Sequence, residues 1–328
     1  MRKAPVVAVL ALASLLIPTS AANAKRVPVV GPVETLSTYD ADAGELPEGI
    51  AIDKRGRIYV TMPFIGELRR IERDGTESVF AHLPTGGGFG ALGLAVDAPG
   101  NIYACVVTFD PATHGVYRIT PAGDVARLPG SEAIGFPNGL AFGDGGTIYV
   151  ADSTGAVWRI PKGGSAELWS DSSLLEGNDS APLPFPIGAN GVAYRHGTVY
   201  VTNTELASVV SIPVEADGSA GEAELLIQDP ALGGADGVAL DAHGELYVAV
   251  IAQSTIVRIA GDGSDLTVIA DGDDGLDFDS SLAFGTGGHN RTTLYGVNFS
   301  VGPFFGEERT HGPALFSLDV GVPGQPLP

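Results

Sequence analysis

One short pattern returns six times along this chain: Glu48 to Ile52, Leu92 to Val96, Asn138 to Phe142, Asn190 to Tyr194, Asp236 to Leu240 and Ser280 to Phe284. Each copy runs through a Gly or Ser step, an aliphatic residue and an alanine. Successive copies start 44, 46, 52, 46 and 44 residues apart, a period that belongs to the four-stranded blade of a propeller rather than to a helical repeat. A polar turn follows every copy and leads into a second β-rich run with a tyrosine at a fixed place: Tyr59, Tyr103, Tyr149, Tyr200, Tyr247 and Tyr295. Third and fourth runs complete the unit before the next copy begins. The repeat predicts an all-β chain folded as a six-bladed β-propeller of four-stranded blades.

The sixth unit is one strand short, because the chain beyond Val320 reads only Gly-Val-Pro-Gly-Gln-Pro-Leu-Pro. The N-terminal run Val33 to Tyr39 has no other partner. It is expected to supply the missing outer strand, closing the last blade and tying the two ends of the chain together.

The first 24 residues differ in kind: Arg2 and Lys3, an apolar stretch from Val6 to Ile17, then Ala22-Asn23-Ala24. Residues 1–24 read as a secretory signal peptide and 25–328 as a single propeller domain, placing the protein in the periplasm or outside the cell. The apolar stretch is too short to read as a membrane span. Cys105 is alone, so no internal disulfide forms, and its place in a strand pattern suggests an inert buried thiol. A formal net charge of −21 makes nucleic acid and anionic membranes poor partners. A monomer acting on a small molecule is expected.

Chemistry should gather where the inner strands begin, since equivalent positions of successive blades converge on the propeller axis. Crowding there explains the repeated alanine. The heads of the six copies are Glu48, Leu92, Asn138, Asn190, Asp236 and Ser280. Two carboxylates and two amides near a buried axis are costly unless a cation neutralises them. Ca²⁺ suits such a set, because it takes six to eight oxygens in flexible geometry. No histidine or cysteine stands at a head, which disfavours zinc, copper and iron. Asn-Gly and Asp-Gly also serve as plain turn dipeptides leading into strands, a reading that does not cover Glu48.

With these heads, the chain resembles the senescence marker protein/gluconolactonase family, which includes regucalcin and is related in fold to the paraoxonases. The resemblance spans the whole region after the signal. It implies a six-bladed propeller with calcium in the central channel, opening lactones or hydrolysing related esters. Glu48, Asn190 and Asp236 match that family's metal ligands, Asn138 a position used for metal or substrate, and Asp236 also the base. Two departures are visible. Paraoxonases carry a histidine where this chain has Leu92, and the Asn-Asp-Gly and arginine pattern that grips a sugar acid is absent around Phe136 to Gly139.

Long segments fall on the face where the heads open: Thr85 to Ala91, Asp171 to Ala189 with Pro182 to Pro186, and Asn298 to Pro313 with Phe304 and Phe305. Phe304, Phe305, His114 and His311 are the candidate substrate contacts, together with Asn138. Each histidine on this face reads first as a surface residue, and His196, His243 and His289 as turn residues on the opposite face. The acidic stretch Asp271 to Asp279 lacks the glycine of an EF-hand loop and reads as solvated. No nucleophile elbow, zincin motif or phosphate loop occurs. The sequence therefore favours a calcium-dependent hydrolase of lactones or related esters, with Asp236 as base. The alternatives are an exported binding or scaffold propeller whose calcium is structural, and a lyase or synthase on the same scaffold.

Overall fold

The computed structural model describes residues 31–86, 88–180 and 185–327. The signal segment 1–24 and residues 182–184 of the proline-rich stretch lie outside the described residues. The described chain forms six four-stranded antiparallel sheets, as the repeat requires. The innermost strands are Ile50–Ile52, Gly90–Val96, Pro137–Phe142, Ala189–Arg195, Ala235–Leu240 and Asp279–Phe284. Each contacts the innermost strand of the next blade, and the first contacts the last.

Closure follows the sequence expectation. Glu34–Thr38 pairs antiparallel with Ala314–Asp319 and becomes the outer strand of the sixth blade. The blade that completes the ring is thus built from both ends of the chain. Between-blade apolar clusters fill the gaps; one joins Leu68, Ala91, Ile102 and Ile119 of the first two blades, all buried.

The repeated small residues have separable roles. Gly49, Gly93, Gly139, Gly191 and Gly237 each lie against the head carbonyl of the next blade, of Leu92, Asn138, Asn190, Asp236 and Ser280 respectively, where a Cβ would collide. Crowding therefore falls on the glycine, and the expectation that it explains the alanine is corrected. The alanine instead pairs in register with the fixed tyrosine in all six blades, as in Ala51 with Tyr59 and Ala283 with Tyr295. Each alanine follows its head by three positions, so heads open on one face and the alanines line the channel toward the other.

At that other end lies a cavity of about 190 Å³ walled by the six alanines, their neighbours and Gln325 to Leu327. The C-terminal tail crosses the channel there. The amide of Gln325 donates to the Leu240 carbonyl and that of Ala242 to the Pro323 carbonyl. The Gln325 side chain donates to the Tyr194 carbonyl at 2.8 Å and accepts from Arg195 at 3.3 Å. Leu327 packs on the core between the first two blades. Proline-rich and strandless, this tail gives no sequence signal of its destination.

Candidate active site

All six heads are buried: Glu48 4%, Leu92 5%, Asn138 8%, Asn190 5%, Asp236 7% and Ser280 0% exposed. Hydroxyls hold the backbone of three of them, two from second strands and one from the head Ser280. Thr61 Oγ1 donates to the Leu92 carbonyl at 3.0 Å and accepts from the Gly49 amide. Thr202 plays the same part between the Asp236 carbonyl and Gly191. Ser280 Oγ donates to the Glu48 carbonyl at 2.7 Å, joining the sixth blade to the first. The backbone around the axis is thereby stitched without using the carboxylates.

The amides are aimed in the same way. Asn190 Nδ2 donates to Thr204 Oγ1 at 3.0 Å, and Asn138 Nδ2 to Ser153 Oγ at 3.2 Å. With its nitrogen occupied, Asn190 leaves Oδ1 buried and without a partner. Glu48 Oε2 and both carboxylate oxygens of Asp279 are likewise buried and unpartnered. Every one of these four orphans is an acceptor. Water-poor acceptors without donors carry a penalty of several kcal/mol each when charged, so the site calls for a cation or for protons.

The carboxyls show that strain. Burial lifts Asp236 from 3.8 to about 8, against a hydrogen bond from Asn190 that pulls the other way. Burial, then the charge of Asp236, holds Glu48 well above the usual range. Asp279 is also driven up, chiefly by burial and further by Asp236 and Asp277. Without a cation Asp236, at about 8, holds its proton near neutrality. The buried Cys105 thiol is pushed up by burial and by Glu48, so it stays a neutral thiol, as its strand position suggests.

Among the described residues no three His, Cys, Asp or Glu side chains gather as a ready-made metal cluster. The oxygens that could hold a hard cation are therefore those of two carboxylates, Glu48 and Asp236, with the amide oxygens of Asn190 and Asn138. Unsatisfied acceptors of this kind fit calcium by donor chemistry.

Asp279 is the buried, unpartnered carboxylate that the sequence does not announce, since the stretch 271–279 was expected to be solvated. Asp279 is 0% and Asp277 1% exposed. One position before the heads, the blades carry Pro47, Ala91, Pro137, Ala189, Ala235 and Asp279; a carboxylate in an otherwise apolar column was the available signal. Asp277 plays a different part. Its Oδ2 accepts from Ser300 Oγ at 2.7 Å and from the amides of Thr310, His311 and Gly312, anchoring the 298–313 segment.

His114 and His311 do not share one place. His114 is buried rather than on the surface: its Nε2 lies 2.7 Å from the Ile134 carbonyl, and Nδ1 receives the amides of Thr108 and Phe109 at 3.3 and 3.4 Å. Both ring nitrogens are thus spent on backbone. His311 is exposed and contacts the Gly272 carbonyl.

Phe304 and Phe305 sit on the head face but point to different partners. Phe304 is 58% exposed and lies 5.6 Å from Phe64, which stacks on Phe299; Phe305 stacks on Phe278. A second aromatic group was not foreseen. Phe89, Phe109, Phe136 and Phe185 contact one another in every pairing, with centroids 5.3–6.4 Å apart. Of the chain's 13 phenylalanines, these nine belong to loops on the head face.

With that geometry in view, the chain can be set beside known proteins. A family profile described as the SMP-30/Gluconolactonase/LRE-like region matches residues 187–297, which contain the heads Asn190, Asp236 and Ser280. No curated protein sequence matches the chain. Among solved structures, a regucalcin of Agrobacterium tumefaciens described as calcium-binding superposes with a TM-score of 0.68 at 17% identity, covering 93% of this chain and 99% of its own. A gluconolactonase of Xanthomonas campestris gives 0.64 at 18%, covering 92% and 95%. A virginiamycin B lyase of Staphylococcus aureus gives 0.56 at 17%, covering 83% of each chain. The similarity to solved structures shows the propeller fold, which hosts several chemistries.

Proposed function

We propose that this protein hydrolyses lactones or related esters with a divalent cation, calcium by donor type, held at the channel head. The observation that supports it is the set of buried, donorless acceptor oxygens of Glu48, Asn190 and Asp279, which stand with the buried Asp236 carboxyl at the starts of the inner strands. The profile match over residues 187–297 and the gluconolactonase and regucalcin neighbours point to the same chemistry.

In this reading Glu48 and Asp236 would balance the charge of the ion, and Asn190 and Asn138 would add amide oxygens to the set that holds it. A bound divalent ion supplies Lewis-acid polarisation of the substrate carbonyl. If each of the four side chains gave one oxygen, they would supply four of the six to eight that calcium takes, which would leave room for water and substrate. Asp236 takes a proton at a carboxylate oxygen from the water that attacks the carbonyl carbon. As the ring C–O bond breaks, that proton is returned to the departing alkoxide oxygen. A positive charge beside Asp236 brings its affinity for protons down from about 8 into the range where the carboxylate is free to act.

The test is a panel of lactones and aryl esters assayed with added calcium and again after chelation. Turnover that is lost on chelation and restored by calcium supports the proposal. Turnover indifferent to chelator overturns the metal role, and absence of turnover with a metal-dependent melting temperature favours a binding propeller with structural calcium. We also propose, from residues 1–24 read as a secretory signal, that the protein acts in the periplasm or outside the cell, which fractionation of the expressing cells checks.

A further inference from the structure

Leu92 is the odd member of the head ring, and its surroundings explain why. It is buried with Val107 and Phe136, with Phe89 and Phe185 packed on them. Phe136 is 4% exposed, whereas Phe109, in contact with it, is 55% exposed. The aromatic group therefore runs without a break from a member of the ring out to solvent. Phe109 is also held in a left-handed backbone conformation, φ 58°, which strains a bulky residue. The buried His114 imidazole accepts the Phe109 amide and fixes that conformation. The strained turn and the buried histidine thus hold an apolar ring against the other three phenylalanines while more than half of it stays open to solvent.

Phe64 and Phe304 form a matching apolar edge on the first and sixth blades, 41% and 58% exposed. These two and Phe109 are the large aromatic side chains that the described residues expose, and all three stand on the head face. Neither edge offers hydrogen-bond donors or acceptors from its rings, so a polyhydroxylated sugar lactone would lose its water without replacement.

We propose that the substrate carries an apolar arm, an alkyl chain or aryl group attached to the lactone or ester, which lies on the aromatic wall that starts at Leu92 and ends at Phe109. The proposal rests on the hydrolase reading above and names its substrate class. Each methylene laid on the wall should raise kcat/KM about fourfold, the equivalent of ~0.8 kcal/mol per buried CH₂, until the wall is covered.

The experiment uses the calcium-loaded full chain and γ-lactones with side chains from methyl to heptyl, with gluconolactone as the polar comparison. The matching lactams, which resist hydrolysis, are titrated calorimetrically in parallel. The expected result is a rise of about fourfold per carbon in kcat/KM and in lactam affinity, gluconolactone the poorest substrate, and a flattened series in Phe109→Ala, whose side chain is exposed enough for the fold to survive. A flat or falling series with good turnover of gluconolactone overturns the apolar arm and leaves the hydrolase reading standing. No turnover of any lactone, with lactam affinity still rising with length in wild type and flattened in Phe109→Ala, supports the apolar wall and overturns the hydrolase reading. No turnover and no length dependence in binding overturns both.

Discussion

Two buried carboxylates stand at opposite ends of the same three-residue strand, Ile50–Ile52, and they differ in everything but burial. Asp53, 2% exposed, closes the turn at the tail-covered end: Oδ1 accepts the amides of Arg55 and Arg57 at 2.9 and 3.0 Å, and Oδ2 the Arg57 guanidinium. Glu48, 4% exposed, faces the other way and has a buried oxygen with no partner. One carboxylate stabilises a turn; the other is left with an unmet demand for positive charge. The same six strands build both ends of the channel, so the difference resides in what reaches each end. The lower end receives backbone amides, arginines and the C-terminal tail. The upper end receives hydroxyls already spent on carbonyls, aromatic loops, and nothing cationic among the hydrogen bonds of Glu48, Asp236 and Asp279.

That contrast can be broken at its chemical end first. Asp236→Asn keeps the shape and one oxygen donor of the head while removing charge and basicity. Steady-state kinetics at saturating calcium should show turnover down by ~10²–10⁴-fold, with part of the calcium affinity retained. Near-full turnover would move the base elsewhere.

Metal removal comes next in size. Calcium at a hundred times its Kd should stabilise the fold by ~2.7 kcal/mol, a rise of roughly 5 °C in melting temperature for a chain of this length. The effect should grow with pH. Asp236, Glu48 and Asp279 bind protons more tightly folded than unfolded, so the metal-free protein is favoured at low pH and loses that contribution as pH rises from about 4 toward the raised value of about 8 at Asp236. Calcium competes with those protons. Differential scanning calorimetry at pH 5 and pH 8, with calcium and with chelator, should find the larger calcium shift at pH 8; an equal shift at both would disconnect the metal from these carboxyls.

The satisfied end is expected to matter for stability alone. Ending the chain at Val320 removes the Gln325 hydrogen bonds and the Leu327 packing, costing ~2 kcal/mol and a few degrees of melting temperature. kcat/KM should change by less than about twofold. A loss of activity as large as that of Asp236→Asn would show that the two ends are not independent. Smallest of all should be His311→Gln, whose exposed ring contacts only the Gly272 carbonyl; turnover and its pH profile should stay within about twofold of wild type.

The fold was legible because a propeller writes itself as a repeat. Each blade's pairing is local, so the strand, turn, strand order and the Ala–Tyr register appear within one period of sequence. Even the closing strand could be assigned by counting what the sixth blade lacked. Four heads of the candidate site were legible for the same reason, since equivalent places in a period converge on an axis. Asp279 was not, because it sits one place before the head in a stretch whose acidity looked like a solvated surface. His114 was not, because burial of a loop histidine depends on a carbonyl twenty residues away, at Ile134.

The sequence by itself determined the number of blades, the alternation within them, the identity of the oxygen-bearing heads and the pairing of the two chain ends, all of which follow from period and local pattern. Only the tertiary structure decided which oxygens stay unsatisfied, that Phe89, Phe109, Phe136 and Phe185 meet, and that the proline-rich tail covers the lower channel. Those outcomes rest on contacts such as Ser280 to Glu48, 232 residues apart, and Gln325 to Tyr194, 131 apart. Hydrogen-bond satisfaction and desolvation depend on everything that surrounds a group in space, and a one-dimensional pattern carries that information only for neighbours within its own period.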